Sequence, residues 1–339
     1  MSRWNLGRVQ PLSLAYWFEV LIMHFLGRLL IATAAMIVTP VLAQQTKIVS
    51  GQKWPLASDR RGSDSAASPP VIDAPRANGV VLFTGVVDDA HIGPVRITNA
   101  YRAIETNRRS RAVKNVTIDG LVADNVQREG IRLRGNVENV TIRNFNLAHV
   151  EEPNVSPDLP EGIHIESGSN IVIENGTITG FQMTMDEKSY WNGDGITTEK
   201  AVDGIVIRNI RADNNTDAGF DLKSFHTQMD NVEASGNKRN FRIWNGLTAG
   251  TMTIGNTLKR GGAFSTAGLW IRGNSTVPIV TIDNLIVRMT TPATIIQIED
   301  GPVDLRIAAC DIQAPPGSVM LKAEKAEGMK IALGPSCKL

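Results

Sequence analysis

A short apolar phrase returns nine times along the chain, beginning at Val116, Val140, Ile171, Ile205, Thr227, Met252, Val280, Val303 and Met329. The first copies read NVTIDG, NVTIRN, NIVIEN and GIVIRN, and the steps between copies are 24, 31, 34, 22, 25, 28, 23 and 26 residues. A drifting period of this length is the mark of a solenoid. Each phrase is too short for a helix and alternates apolar with polar residues, as a strand does. A second phrase lies between the copies: GIRLRG from Gly130, GIHIES from Gly162, GITTEK from Gly195, GFDLKS from Gly219, NFRIWN from Asn240 and GLWIRG from Gly268.

Two phased strand families, with a third short strand such as LVAD, FNLA or IRAD after the first, give three strands per repeat. The expected fold is all-β, a single right-handed parallel β-helix with three-strand rungs. Asn144, Asn175, Asn209, Asn231, Asn256 and Asn284 close the first strand of most rungs, Gly120 standing at the earliest. Asparagine tolerates the left-handed backbone of a tight turn, and stacked amides can bond between rungs.

The rest of the 339-residue chain divides around this solenoid. Residues 23–43, with Arg28, an apolar stretch from Leu29 to Val38 and small residues to Ala43, have the pattern of a signal peptide cleaved before Gln44. The alternative is an uncleaved anchor, against which stands the shortness of the apolar stretch beside the roughly 20 residues a spanning helix needs. Residues 1–22 read as an upstream extension. Residues 44–78, rich in Ser, Ala, Pro and charge, read as a flexible arm, and 79–339 as the β-helix domain. Export to the periplasm, the medium or the cell surface follows. Cys310 and Cys337 lie about one repeat apart, so they form either a disulfide or two buried thiols. The net charge of +1 gives no electrostatic argument for nucleic acid, and the oligomeric state is not legible.

The two longest steps, 31 and 34, are adjacent, and their extra residues fall in the turn before the GIxIx strand, at 149–161 and 181–194. Loops side by side on a solenoid make a cleft wall. An Asn ladder in a short turn, with loops grown beside one sheet, resembles the pectin lyase-like superfamily of pectate lyases, polygalacturonases and epimerases, over roughly residues 110–335. The resemblance implies that a polysaccharide lies on the outer face of the GIxIx sheet. NGDGIT at 192–197, DAGFDLKS at 217–224 and FRIWN at 241–245 are similar to polygalacturonase phrases. Carried across by position, the catalytic aspartates of that family fall on Thr197, Asp217 and Ala218 and its lysine on Trp244, so the standard polygalacturonase arrangement is not expected.

Outward residues of the GIxIx strands form two columns: Arg132, His164, Thr197, Asp221, Arg242, Trp270, Gln297 and Met320, then Arg134, Glu166, Glu199, Lys223, Trp244, Arg272, Glu299 and Lys322. With rungs about 4.8 Å apart, Glu166 and Glu199 should stand about 5 Å from each other and Asp221 about 8 Å from Glu199. Adjacent carboxylates should raise one pKa, as hydrolysis requires. Elimination from a uronate instead needs neutralisation of its carboxylate and a base, for which His164, Lys223, Arg242 or Tyr190 are candidates. The expected catalytic set is therefore His164, Glu166, Glu199, Asp221, Lys223 and Arg242. The expected substrate contacts are Arg132, Tyr190, Trp191, Asp194, Trp244, Trp270 and Arg272, the tryptophans offering faces to sugar rings. No cofactor is called for. Calcium is the one ion the acidic loops could hold, through Asp186, Glu187 and Asp194 or Glu151, Glu152 and Asp158. The expected function is binding and modification of an acidic polysaccharide by a lyase, hydrolase or epimerase. The alternative is a noncatalytic polysaccharide-binding or adhesin-like scaffold, its charged column a ladder on a solvated sheet.

Overall fold

The computed structural model describes residues 45–48, 50–54, 68–107, 109–149, 159–273, 277–325 and 327–339. The signal-like segment and most of the first inserted loop, with Glu151, Glu152 and Asp158, lie outside the described residues. Among the described residues there is no helix, hence none long and apolar enough to cross a membrane. Every strand pairing is parallel, and each strand pairs with the one a full rung away. The chain is a parallel β-helix with three sheets running along its axis.

Register explains the stack. In the first sheet Val116 pairs with Val140, Val140 with Ile171, Ile171 with Ile205 and Ile205 with Thr227. Two residues on, Ile118, Ile142, Ile173, Ile207 and Met229 form a parallel column, each nearly inaccessible to water. Burying each such side chain contributes about 1.5 to 3 kcal/mol. Alternate residues face solvent, which is why the phrase reads with period two. In the third sheet, the GIxIx sheet, Phe220 and Phe241 stack inside with ring centres 5.0 Å apart and planes 2° from parallel.

The glycine that opens the GIxIx phrase is sterically required. A Cβ on Gly162 would stand 2.6 Å from the Gly195 carbonyl oxygen, and one on Gly195 2.4 Å from that of Gly219. Successive rungs approach too closely there for any side chain.

The asparagine ladder is present in part. Asn231 donates to Asn209 at 2.8 Å and Asn209 to Asn175 at 2.9 Å, each with φ near +50°. A second ladder, in the turn before the first sheet, links Asn170, Asn139, Asn115 and Asp88. Asn256 does not belong to the first ladder. Thr227 pairs with Leu247, and Leu247 with Val280, whereas Met252 pairs with Val232 and Leu285 in the second sheet. The sequence phrase TMTIGN was therefore placed one strand too early in the rung. The first-sheet steps are 20 residues from Thr227 to Leu247 and 33 from Leu247 to Val280. That correction uncovers another long turn, residues 257–266, before the strand Ala267–Arg272.

Three short strands precede Gly79. Thr46–Ile48 pairs with 81–83, Lys53–Trp54 with 91–92 and Val71–Asp73 with 96–98. Parts of the expected arm thus form a first rung, with Ile48 and Trp54 in the core. Strands of two or three residues are too short to show periodicity in a sequence. At the other end Cys310 and Cys337 form a disulfide.

Candidate functional site

The third sheet carries three lanes of side chains across its strands. The first stands at the strand starts, where Arg102 pairs with Glu129, Glu129 with Glu161 and Glu161 with Asp194. Arg239 continues it in register, opposite Ala218, with Asp217 and Lys238 one residue before, and all seven charged residues are buried. The middle lane runs in register through Glu105, Arg132, His164, Thr197, Asp221, Arg242, Trp270, Gln297 and Lys322. Lys322 thus takes the place expected for Met320. The third lane, Arg134, Glu166, Glu199, Lys223, Trp244 and Arg272, is partly open to solvent.

Burial is set by the two long turns, 181–193 and 257–266. They meet across the intervening rungs: the Ala263 N–H donates to the Ser189 carbonyl at 3.0 Å, and Arg260 donates to the carbonyls of Asn215 and Gly236 at 3.0 and 2.6 Å. Trp191 lies beneath Gly261 and Gly262, where added Cβ atoms would fall 2.4 and 2.6 Å from its ring. At 5% exposure Trp191 is a packing residue of this roof, not a sugar platform. Trp270, 1% exposed, is likewise closed off, with its indole N–H donating to Glu299 at 2.8 Å. Two of the three expected platforms are therefore removed, leaving Trp244. The roof adds an aromatic that the sequence did not single out: Phe264, 58% exposed, edge-on to Tyr190.

Beneath the roof sits a charge cluster. Asp217 accepts from the Tyr190 hydroxyl and from Arg242 at 3.0 Å, and Lys238 Nζ is 2.9 Å away on its other side. Burial opposes ionisation of Asp217, but Arg242, Lys238 and Arg239 outweigh it and hold the carboxyl below its usual range. Asp194 goes the other way: burial, with Asp221, Asp217 and Glu161 nearby, pushes it well above the carboxylate range. It accepts the Ala218 N–H at 2.7 Å and the Thr197 hydroxyl at 3.3 Å. Asp194, 1% exposed, is thus an internal group that burial and its acidic neighbours bias toward the protonated form, closed to a substrate, whereas Asp186 and Glu187 are exposed.

The expected bases also change character. Burial and Asp217 raise the Tyr190 phenol far above its usual range, so it serves as a hydrogen-bond donor. Burial lowers Arg242, yet Asp221 and Asp217 outweigh it and raise its pKa, fixing the positive charge. Lys223 is likewise raised against its burial by Asp221 and Glu199, with Nζ 3.3 Å and 2.9 Å from them. Asp221 accepts the Trp244 indole N–H at 2.6 Å and is 2% exposed. Glu166 is bound by Arg132, which with His164 overcomes burial and lowers its pKa. Arg132 claims Glu166 and Lys223 claims Glu199, so Glu166 moves down where an upward push from a neighbouring carboxylate was expected.

His164 remains within reach of the lane, with its side chain 13% exposed. Burial lowers its pKa, but Glu161, 2.7 Å from Nδ1, more than compensates and raises it. Its Nε2 lies 4.0 Å from Glu199, whose side chain is 41% exposed. Glu129, Glu161 and His164 bring one ligand atom each within 4.8 Å of one another. Arg102, Arg128 and Arg132 already crowd Glu129, so the cluster is internally neutralised. The acids of the first lane had a sequence signal: Glu129, Glu161 and Asp194 each stand directly before the glycine of a GIxIx phrase.

No curated protein and no solved structure matches the chain. Residues 102–287, more than half of its length, match the family described as the right handed beta helix region. That match fixes the hand of the three-sheet coil, and the chain belongs to the right-handed β-helix family.

Proposed function

We propose that the protein is exported and binds an acidic polysaccharide along the open lane of its third sheet, cleaving it by elimination. The observation that carries this reading is the line of partly exposed Glu166, Glu199, Lys223, Trp244 and Arg272 on successive rungs, with His164 4.0 Å from Glu199. Five rungs span about 20 Å, room for several sugar units. The disulfide supports an oxidising compartment.

The chemistry follows from which groups can move protons. Hydrolysis needs a protonated carboxyl at the bond, and the carboxyls that burial raises here, Asp194 and Glu129, are both closed off from solvent. Elimination needs a cationic partner for the uronate carboxylate, a base at the adjacent ring carbon and an acid for the leaving oxygen. Lys223 and Arg272 serve as the cations. Glu199 takes the ring proton, the glycosidic carbon–oxygen bond breaks as a carbon–carbon double bond forms, and His164 protonates the departing oxygen. Glu161, 2.7 Å from Nδ1, favours the protonated imidazole for that step.

The noncatalytic reading draws on one observation, the pairing of Glu166 with Arg132 and of Glu199 with Lys223. A single assay separates the two. The full chain is incubated with polyuronates and neutral polymers, following the absorbance of unsaturated ends, the release of reducing ends and the NMR spectrum of recovered polymer. Unsaturated ends that fall at least about 100-fold in Glu199→Gln and His164→Gln are the expected result. Reducing ends without unsaturation mean hydrolysis, altered polymer without cleavage means epimerisation, and binding with no change means a scaffold.

A further inference from the structure

At the downstream edge of the third sheet a cleft of about 580 Å³ opens among Lys200, Lys223, Trp244, Arg272 and Asp300. It is floored by Gly273 and Gly301. A Cβ on Gly273 would stand 2.6 Å from the Pro302 carbonyl oxygen, and one on Gly301 3.0 Å from the Gly273 backbone. Gly301 also has φ +72°. Two backbones therefore pack against each other without side chains, and the space above them stays open.

The charges around this space are unequally committed. Lys223 is paired with Glu199 and Asp221, Arg272 lies 3.6 Å from Glu299 and 3.8 Å from Asp300, and Asp300 is 3.0 Å from Lys325. Lys200, exposed at the mouth, has no carboxylate partner among the described residues. The Arg272 contacts are long for charge-assisted bonds, so the guanidinium retains donors for a ligand. Trp244 has Arg242 over its ring, 4.8 Å from the centroid, and also lines the cleft.

We propose that this cleft is a subsite for a single uronate residue, the sugar ring lying on Trp244, its carboxylate held between Lys200 and Arg272, and a hydroxyl donating to Asp300. This rests on the reading of the open lane as a polyuronate track and adds where one unit is anchored. A simple inorganic anion fits less well, since it would use neither the indole nor the carboxylate acceptor. A neutral sugar would leave Lys200 and Arg272 without a partner. The subsite spans the successive strands that carry Lys200, Lys223, Trp244, Arg272 and Asp300, beginning beside Glu199, so it sets which unit of the polymer lies over Glu199.

The test is isothermal titration of the full chain with a short oligouronate, a neutral oligosaccharide of equal length and inorganic sulfate, using wild type, Lys200→Gln and Arg272→Gln. Both side chains face solvent or the cleft, and far-UV circular dichroism checks that each variant folds; if Arg272→Gln does not, Lys200→Gln decides. Oligouronate binding weakened about tenfold or more in each variant, with the neutral oligomer and sulfate at least tenfold weaker than oligouronate on wild type, supports the subsite. Unchanged oligouronate affinity in the variants overturns the subsite and leaves the polyuronate track standing. Sulfate bound as tightly as oligouronate also overturns it. No binding of any acidic oligomer to wild type overturns both.

Discussion

Lys238 tests the physics of the roofed cluster. It is 0% exposed, its ammonium lies 2.9 Å from a carboxylate that is also 0% exposed, and it sits 4.7 Å from the centre of the Tyr190 ring. Lys238→Met keeps the stem and removes the charge, stranding part of the Asp217 negative charge away from water. Breaking a buried pair in this way costs about 3 to 5 kcal/mol. Because Arg242 and Tyr190 still hold the other carboxylate oxygen, the lower end applies, about 3 kcal/mol. Spread over the size of the folded β-helix, this lowers the melting temperature by about 5 °C. The assay is thermal unfolding by circular dichroism at neutral pH, run as a cycle with Asp217→Asn and the double variant. If the pair acts as described, the double variant recovers most of the loss. A single-variant loss under about 1 kcal/mol, or strictly additive losses, would refute the reasoning.

Other groups give pH-dependent expectations. The His164 pKa is raised in the folded protein, so its pairing with Glu161 contributes stability that is complete below the unfolded value of about 6.5 and is lost as pH rises through the folded value. The melting temperature of wild type should fall across that window relative to His164→Gln, whose profile should be flatter. Asp194 is also raised, and here the folded state holds a proton the unfolded state has already lost, so stability declines from about pH 4 up to the folded value. Asp194→Asn should remove that decline and be at least as stable as wild type at pH 8, read by urea unfolding at several pH values. Reduction of the Cys310–Cys337 disulfide, which closes a span of 27 residues, should cost about 3 to 4 kcal/mol, measured by unfolding with and without reductant. Gly262→Ala would place a methyl 2.6 Å from Trp191 at φ +73°, and should loosen the roof, seen as greater quenching of Trp191 fluorescence by iodide.

The solenoid was legible because its core repeats in register: the Val116 and Ile118 columns stay two residues apart in every copy although the steps between copies drift, and each rung buries the same positions. The ladder was legible in Asn175, Asn209 and Asn231, where one residue type answers both the backbone and the rung-to-rung bond. Reading went astray at Met252, since a second-sheet strand alternates in the same way as a first-sheet strand and only pairing tells them apart. That slip hid the 257–266 turn, and with it the roof that buries Trp191. Burial of Trp270 and Asp221 was not legible either. Alternation correctly put both on the outer face, yet an outer face can be covered by loops of other rungs. The split between Asp194 and Asp217 depends on Lys238, Arg239 and Arg242, which are distant in sequence and converge only through stacking.

The central claim is that the open lane of the third sheet meets an acidic polymer, and equilibrium binding of the full chain to a polyuronate and to a neutral polymer of equal length tests it most directly. Binding to the polyuronate alone, weakening as salt rises from about 50 to 500 mM as screening of exposed Lys200 and Arg272 requires, is the predicted result. Equal binding to both polymers, or to neither, contradicts it.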